Sequence, residues 1–196
     1  SAQWAVGRSA AAVRYAAVAA IARLVASPTC DARALAELLT ADAGNSELWG
    51  ALQGALDEHY YSDTRLAAAQ CISAMLQLTG AAGLTDDLRR KVYPELLKRL
   101  DDASDDVRMA ACAALVAFWE ATPADYCDAN SEYCAAGVVV HMDDPDARMQ
   151  EAACRVLEAA ARRKPKQVRE VVQQARHKHR APHYCDRVVA ACDAAT

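Results

Sequence analysis

The sequence predicts an all-α protein, a right-handed α-solenoid built from stacked helical hairpins. Apolar residues recur at three- and four-residue spacing through most of the chain, and no stretch alternates with a period of two for long enough to predict a strand. Glycine occurs 7 times and phenylalanine once, while alanine is abundant, and this composition favours helix. A two-helix unit also recurs along the chain, which indicates a repeat protein.

The clearest unit is the stretch 93–119, YPELLKRLDDASDDVRMAACAALVAFW. It divides into two short helices at the acidic turn DDASDD, where Asp and Ser side chains suit a helix N-terminus. Each helix carries one apolar stripe that it cannot bury alone, so the pair needs neighbours of the same kind. The stripes are Val92, Leu96, Leu97 and Leu100, then Val107, Ala110, Ala111, Ala114, Leu115 and Phe118.

Those neighbours are present in the sequence. A gapless shift places LDDASDDVRMAACAALVA over MDDPDARMQEAACRVLEA, so that Cys112 meets Cys154 and Leu115 meets Leu157. Second helices begin at residues 13, 64, 107 and 149, and spacings of about 42 to 51 residues are typical of two-helix solenoid repeats.

Each element has a local reason. The sequence predicts helices over 4–25, 31–40, 48–59, 64–78, 85–100, 107–119, 127–142, 146–163, 165–178 and 184–192. Ser46 and Thr85 are expected N-caps, Pro94 a kink, and Pro165 a first-turn proline. The whole chain is expected to form one unit, 1–196, with a half repeat at 1–25 and repeats at 31–79, 84–121, 126–163 and 165–192.

The pattern resembles the HEAT repeat, which has a proline in the first helix, LLxxLxD before the turn, and D-V-R followed by A-x-x-A-L. The resemblance implies a ladder in which turn aspartates and the arginine after the valine hydrogen-bond between neighbouring repeats. Gln150 stands where the next arginine is expected. The residues given this structural role are Asp102 or Asp106 with Arg108, together with Arg65 and Arg14.

The formal net charge of −4 is unevenly distributed. Residues 101–151 are mainly acidic, and residues 162–180 mainly basic. The basic segment could bind an acidic protein surface or, as the alternative function, nucleic acid through its phosphates; the scarcity of interleaved aromatic residues disfavours nucleic acid. Its members are Arg162, Arg163, Lys164, Lys166, Arg169, Arg176, Lys178 and Arg180.

No catalytic, cofactor or metal site is predicted. The chain contains no glycine-rich phosphate loop, no GxSxG and no HExxH, so an enzyme is not expected. The segment HKHRAPHYC, with His177, His179, His183 and Cys185, is the best zinc candidate. However, His177 and His179 are expected to point to different sides of a helix, so they do not converge on one ion. Cys127, Cys134 and His141 share a helical face at spacings too long to bind one ion.

The composition also bears on the cellular compartment in which the protein folds. Apolar runs are interrupted by arginine or polar residues, so no membrane span is expected, and the start lacks a signal peptide and an initiator methionine. Cys71, Cys112 and Cys154 recur on second helices, as expected of reduced cysteines in a core. If the chain is cut from a longer one, the apolar face within 1–40 should cause self-association.

Three segments, YPELLKRLDDASDDVR, HMDDPDARMQEA and ARHKHRAPHYCDRVV, resemble the HEAT-repeat dynein axonemal assembly factors, over a carboxyl-terminal portion of such a protein. The HKHR-x-P-x-Y-C ending is the most specific match. The resemblance implies a cytoplasmic, non-catalytic scaffold for pre-assembly of axonemal dynein arms, which are then transported into cilia or flagella. It further implies dynein intermediate and heavy chains, chaperones and other assembly factors as partners, and it supplies no catalytic residues.

Overall fold

The computed structural model describes residues 7–44 and 46–195. Within those residues the chain forms ten α-helices, two short 3-10 helices and no strand. The α-helices are α1 Arg8–Val25, α2 Ala32–Gly44, α3 Glu47–Leu56, α4 Ser62–Thr79, α5 Asp86–Arg99, α6 Asp105–Glu120, α7 Asp128–Val139, α8 Ala147–Ala161, α9 Pro165–Arg176 and α10 His183–Ala194. The 3-10 helices are Gly80–Gly83 and Val140–Asp143.

The predicted helices are present, with ends shifted by a few residues. Ser46 caps α3 by accepting a hydrogen bond from the Trp49 amide (3.1 Å), and Thr85 caps α5 by accepting one from the Leu88 amide (3.3 Å). The helix predicted over 127–142 instead changes to 3-10 geometry at Val140. The first residues of the helix predicted at 4–25, including Trp4, lie outside the described residues.

The helices form two layers. In one layer the second helices of the hairpins stack in the order α1, α4, α6, α8, α10, each against the next. In the other layer α3, α5, α7 and α9 stack in the same way. The additional helix α2 packs against the Gly80–Gly83 turn and α5. This arrangement is the all-α solenoid that the repeats predict, in which each unit is stabilised mainly by its neighbours.

The core is one continuous apolar cluster that runs from Val18 in α1 to Cys192 in α10. Trp119 and Phe118 are its largest completely buried side chains, with ring centroids 5.5 Å apart in an edge-on arrangement. Each buried side chain of this size contributes about 1.5–3 kcal/mol through removal of its apolar surface from water. The positions aligned between repeats are buried together: Leu100 with Met142, Val107 with Met149, Cys112 with Cys154, and Leu115 with Leu157.

Helix α4 bears on the expectation that the chain has no membrane span. With the turn that follows it, the stretch Ser62–Gly83 is long and apolar enough to cross a membrane by length and composition alone, with a mean hydropathy of 1.2. Half of that stretch is buried inside the solenoid, where α4 lies between α1 and α6. Because Arg65 in α4 is itself held by carboxylate and carbonyl oxygens, we interpret α4 as a core helix.

None of the eight cysteines forms a disulfide bond. Cys71, Cys112 and Cys154 are fully or almost fully buried on the second helices, and burial raises the pKa of each thiol to about 12. Cys127, just before α7, is exposed. The recurring cysteines therefore act as small apolar side chains between stacked helices.

Candidate functional site

An arginine ladder joins neighbouring repeats, and Arg65 shows its geometry best. Its Nε and Nη2 donate to the two carboxylate oxygens of Asp102, each at 2.7 Å, while its Nη1 donates to the Glu58 carbonyl at 2.7 Å. The arginine therefore holds the turn of its own repeat and the turn of the next repeat together. This bidentate pairing gives both attraction and a fixed orientation.

Arg14 and Arg108 occupy equivalent positions. Arg14 donates from Nε to Glu58 at 2.8 Å, and Arg108 donates to Asp144 as well as to the Leu100 carbonyl at 2.8 Å. Each accepting carboxylate also caps its own turn, because it takes the backbone amide two residues later. Those amides belong to Tyr60, Ser104 and Asp146.

The structure therefore pairs the ladder residues differently from the sequence expectation. Asp102 accepts from Arg65 of the preceding repeat, and Arg108 reaches forward to Asp144 rather than to Asp102 or Asp106. Asp106 is exposed in the first turn of α6. The pairing differs because each arginine side chain extends from its own helix towards the inter-helix turn of the next repeat. The sequence also did not indicate Glu58, which replaces aspartate in the first turn.

Two ladder carboxylates have perturbed pKa values. Burial alone would raise the pKa of Asp102, but the hydrogen bonds from Arg65 and the Ser104 amide outweigh it and hold the pKa below its usual value. The same balance, with Arg14 and the Tyr60 amide as donors, lowers the pKa of Glu58. Both groups are therefore stabilised as carboxylates in the folded chain.

The ladder changes direction at the last hairpin. Gln150 donates to the Asp144 carbonyl at 2.6 Å, so it keeps the contact with its own turn. The link to the next hairpin instead points backwards, because Arg180 donates to Asp143 through its backbone amide (2.9 Å) and Nε (3.2 Å). Arg187 of α10 also reaches back to α8, contacting Glu151 at 2.7 Å and Glu158 at 2.8 Å.

Most cations of the segment 162–180 contact acceptors within the chain. Lys164 is buried and donates to Asp128 at 2.7 Å, and Arg163 donates to the Glu120 carbonyl at 2.7 Å. Lys166 and Lys178 are exposed. The remaining contacts are Arg162 with Glu120 (3.7 Å), Arg169 with Asp193 (2.6 Å), Arg176 with Asp186 (2.6 Å) and Arg180 with Asp143. Lys164 and Arg180 therefore join the last hairpin to the preceding one, whereas Arg169 and Arg176 join α9 to α10 within it.

The zinc candidates do not converge in the structure. Among the described residues, no group of three or more His, Cys, Asp or Glu side chains could hold a metal ion. Cys185 Sγ lies 3.5 Å from His179 Nδ1, whereas the His183 ring lies over Tyr184 with centroids 4.2 Å apart. His141 is buried 3.9 Å from Asp101, and burial lowers its pKa.

A groove between α6 and α8, which we call the α6–α8 groove, is shaped to accept a partner. It encloses about 620 Å³, and α4 contributes Gln77 to its edge. Its floor is apolar and its rim is charged. The floor consists of Met109, Cys112, Ala113, Val116 and Ala152, and the rim of Arg148, Glu151, Arg155, Glu158 and Arg162.

Sequence reasoning did not single out this groove. Its floor forms only where two second helices from different repeats lie side by side, so no local pattern shows it. One signal was present in the sequence: Arg148, Arg155 and Arg162 follow one another at seven-residue spacing and therefore share a face of α8.

Comparisons with known proteins agree with this architecture. Residues 19–181 match the profile of a family described as "Stalled ribosome sensor GCN1-like, HEAT repeats". The crystal structure of an engineered protein superposes with a TM-score of 0.51 at 14% identity, covering 94% of this chain and 92% of that one, which supports the fold alone. The stacked hairpins thus define a helical-repeat α-solenoid.

The chain belongs to the HEAT-repeat family. It is 33% identical over 192 residues to dynein axonemal assembly factor 5 of Homo sapiens, and 32% identical over 193 residues to the protein of that name from Xenopus laevis. These identities confirm the resemblance seen in the sequence. Each comparison covers 95% of this chain but only 21% and 22% of the relatives, so the chain spans about a fifth of their length.

Proposed function

We propose that this chain is part of a non-catalytic protein-binding scaffold for the cytoplasmic pre-assembly of axonemal dynein arms, and so supports ciliary and flagellar motility. It acts with chaperones and other assembly factors on dynein intermediate and heavy chains. The observation that carries the proposal is its similarity, over 95% of its length, to proteins named dynein axonemal assembly factor 5.

The geometry supports a role in binding. A solenoid of stacked hairpins offers a long, semi-rigid surface suited to extended or partly folded chains. Several carboxylates of the inter-helix turns have structural partners, since Asp102 and Asp144 accept hydrogen bonds from ladder arginines and Asp146 caps α8. The α6–α8 groove, by contrast, presents apolar and charged side chains to solvent.

The experiment is quantitative affinity capture from the cytoplasm of ciliated cells. The full-length protein that contains this chain is the bait, and the engineered solenoid of the same fold but 14% identity serves as the matched control bait. We expect axonemal dynein intermediate and heavy chains to be enriched about tenfold or more over the control, equivalent to about 1.4 kcal/mol of preference. Equal recovery on both baits would refute the proposal.

A further inference from the structure

We propose that the α6–α8 groove is a docking site for an acidic amphipathic helix of a partner protein. The inference deepens the proposed scaffold function and rests on it, because it assigns the binding to one surface and one class of ligand. Three features of the groove support this assignment: the spacing of the rim arginines, the pairing of the rim glutamates and the apolar floor.

The rim carries a regular row of exposed arginines. The side chains of Arg148, Arg155 and Arg162 are 70%, 69% and 57% exposed. They follow at seven-residue intervals on α8, so neighbours in the row lie about 10 Å apart. A helix laid along the groove repeats at the same interval, so carboxylates at its positions i, i+7 and i+14 can meet the three guanidinium groups in register.

The acidic residues of the rim are already neutralised from outside the groove. Arg187 of α10 donates to Glu151 at 2.7 Å and to Glu158 at 2.8 Å. The contacts that the rim arginines make within the chain are surface ion pairs. Arg148 pairs with Asp146 and Asp105, Arg155 with Glu151, and Arg162 with Glu120. Exposed pairs of this kind contribute little stability. A partner's carboxylates can therefore replace or share these contacts, because the side chains of all three arginines remain more than half exposed.

The floor selects an apolar helix face. Met109 and Ala113 are exposed and Val116 is partly exposed, at i, i+4 and i+7 of α6. The alanines allow a backbone to approach closely, and the flexible methionine adapts to the side chain it meets. The lining contains no aromatic residue on which a nucleic-acid base could stack. These features match helix-in-groove recognition, with acidic residues along one side of the ligand helix.

The test measures fluorescence anisotropy with peptides of stated design. The probe is an 18-residue labelled amphipathic peptide with leucines on one face and glutamates at i, i+7 and i+14. A second peptide carries lysine at those three positions, and a labelled 20-nucleotide RNA is the third probe. We expect the acidic peptide to bind at least about tenfold more tightly than either of the others.

Paired variants locate the site. R155Q/R162Q should weaken binding of the acidic peptide by about tenfold, because two charge-assisted contacts are lost. K166Q/K178Q removes the same charge from exposed cations outside the groove and should change binding by less than about twofold.

The apolar floor is tested in the same way. Met109→Gln should weaken binding of the acidic peptide by about threefold, whereas Val140→Gln, at a position 60% exposed after α7, should leave it unchanged.

Comparable affinity for the lysine peptide or the RNA would overturn the inference. So would the absence of saturable binding at low salt, or equal losses in the two double variants. Failure of the scaffold function is distinguishable from these results. If R155Q/R162Q in the full-length protein still captures dynein chains as the wild type does, the groove assignment fails and the scaffold stands. If the wild type captures none, the scaffold fails.

Discussion

Arg65 and Asp102 form a two-point ion pair across the junction between two repeats, with both N–O distances at 2.7 Å. The side chain of Asp102 is only 2% exposed and that of Arg65 only 9%. Arg65 also donates to the carbonyl of Glu58, so the inter-helix turns of two neighbouring repeats meet at one guanidinium group. This arrangement fixes the relative position of adjacent hairpins, on which the shape of the solenoid surface depends.

Removing the charge at this junction should destabilise the chain. For Asp102→Asn we expect the free energy of unfolding to fall by about 2 kcal/mol, since a buried, charge-assisted hydrogen bond to Arg65 is lost. Asp106→Asn is the matched control, because Asp106 is exposed in the same turn region, and it should cost less than about 0.5 kcal/mol. Urea denaturation measures both; equal effects would contradict a structural role for the ladder.

Stability should decline in acid because of the ladder carboxylates. The folded-state pKa values of Asp102 and Glu58 lie below those of the unfolded chain. Their contribution is therefore complete above the unfolded values of about 4 and is lost as pH falls through the lower folded values. We expect the free energy of unfolding to decrease as the pH is lowered below about 5, and to decrease less steeply in Asp102→Asn. The measurement is urea denaturation at a series of pH values between about 3 and 7, where these carboxylates change from protonated to ionised. If the free energy of unfolding depended on pH equally in Asp102→Asn and in the wild type, this linkage would be contradicted.

The last hairpin should open independently when its backward contacts are removed. Arg187 links α10 to two glutamates of α8, whereas Arg155 contacts only Glu151 of its own helix. Arg187→Gln should therefore increase hydrogen exchange in α9 and α10 selectively, as expected where stability is summed over nearest neighbours. Arg155→Gln should leave that exchange unchanged. Uniform acceleration throughout the chain would show that the hairpin is not a separate unit.

The exposed face of α1 should cause weak self-association. Val13 is 55% exposed and Leu24 68% exposed, and Ala17 and Ala20 lie between them on the same helical face. An apolar stripe of this kind favours association. We expect sedimentation velocity to show a concentration-dependent dimer that V13E/L24E abolishes and that Val140→Glu does not affect. A monomer at all concentrations would refute the prediction.

The sequence predicted the parts of this structure that depend on nearby residues. Helix periodicity, the caps at Ser46 and Thr85, and the equivalent core positions Cys112 and Cys154 follow from local spacing or from comparison of repeats. The choice of ladder partner does not, because Arg65 and Asp102 are 37 residues apart and meet only after the hairpins stack.

The surface was predicted least well, for the same reason. Lys164 belongs to a segment that looks like a basic patch, yet stacking of α9 beside α7 buries it against Asp128. The α6–α8 groove likewise depends on the distance between helices of two repeats. The sequence shows only the heptad spacing of Arg148, Arg155 and Arg162. This spacing indicates one side of a groove only when α8 lies beside an apolar face of α6, as it does in the structure.

Site-specific photocrosslinking in ciliated cells tests most directly whether this solenoid works by binding dynein chains on its second-helix surface. A photoreactive amino acid is placed in the full-length protein at Ala113, exposed on the groove floor in α6, or at Ala136, exposed on α7. We predict covalent adducts with axonemal dynein chains from position 113 and none above background from position 136. No dynein adduct at 113, or equal yields at both positions, would contradict the account.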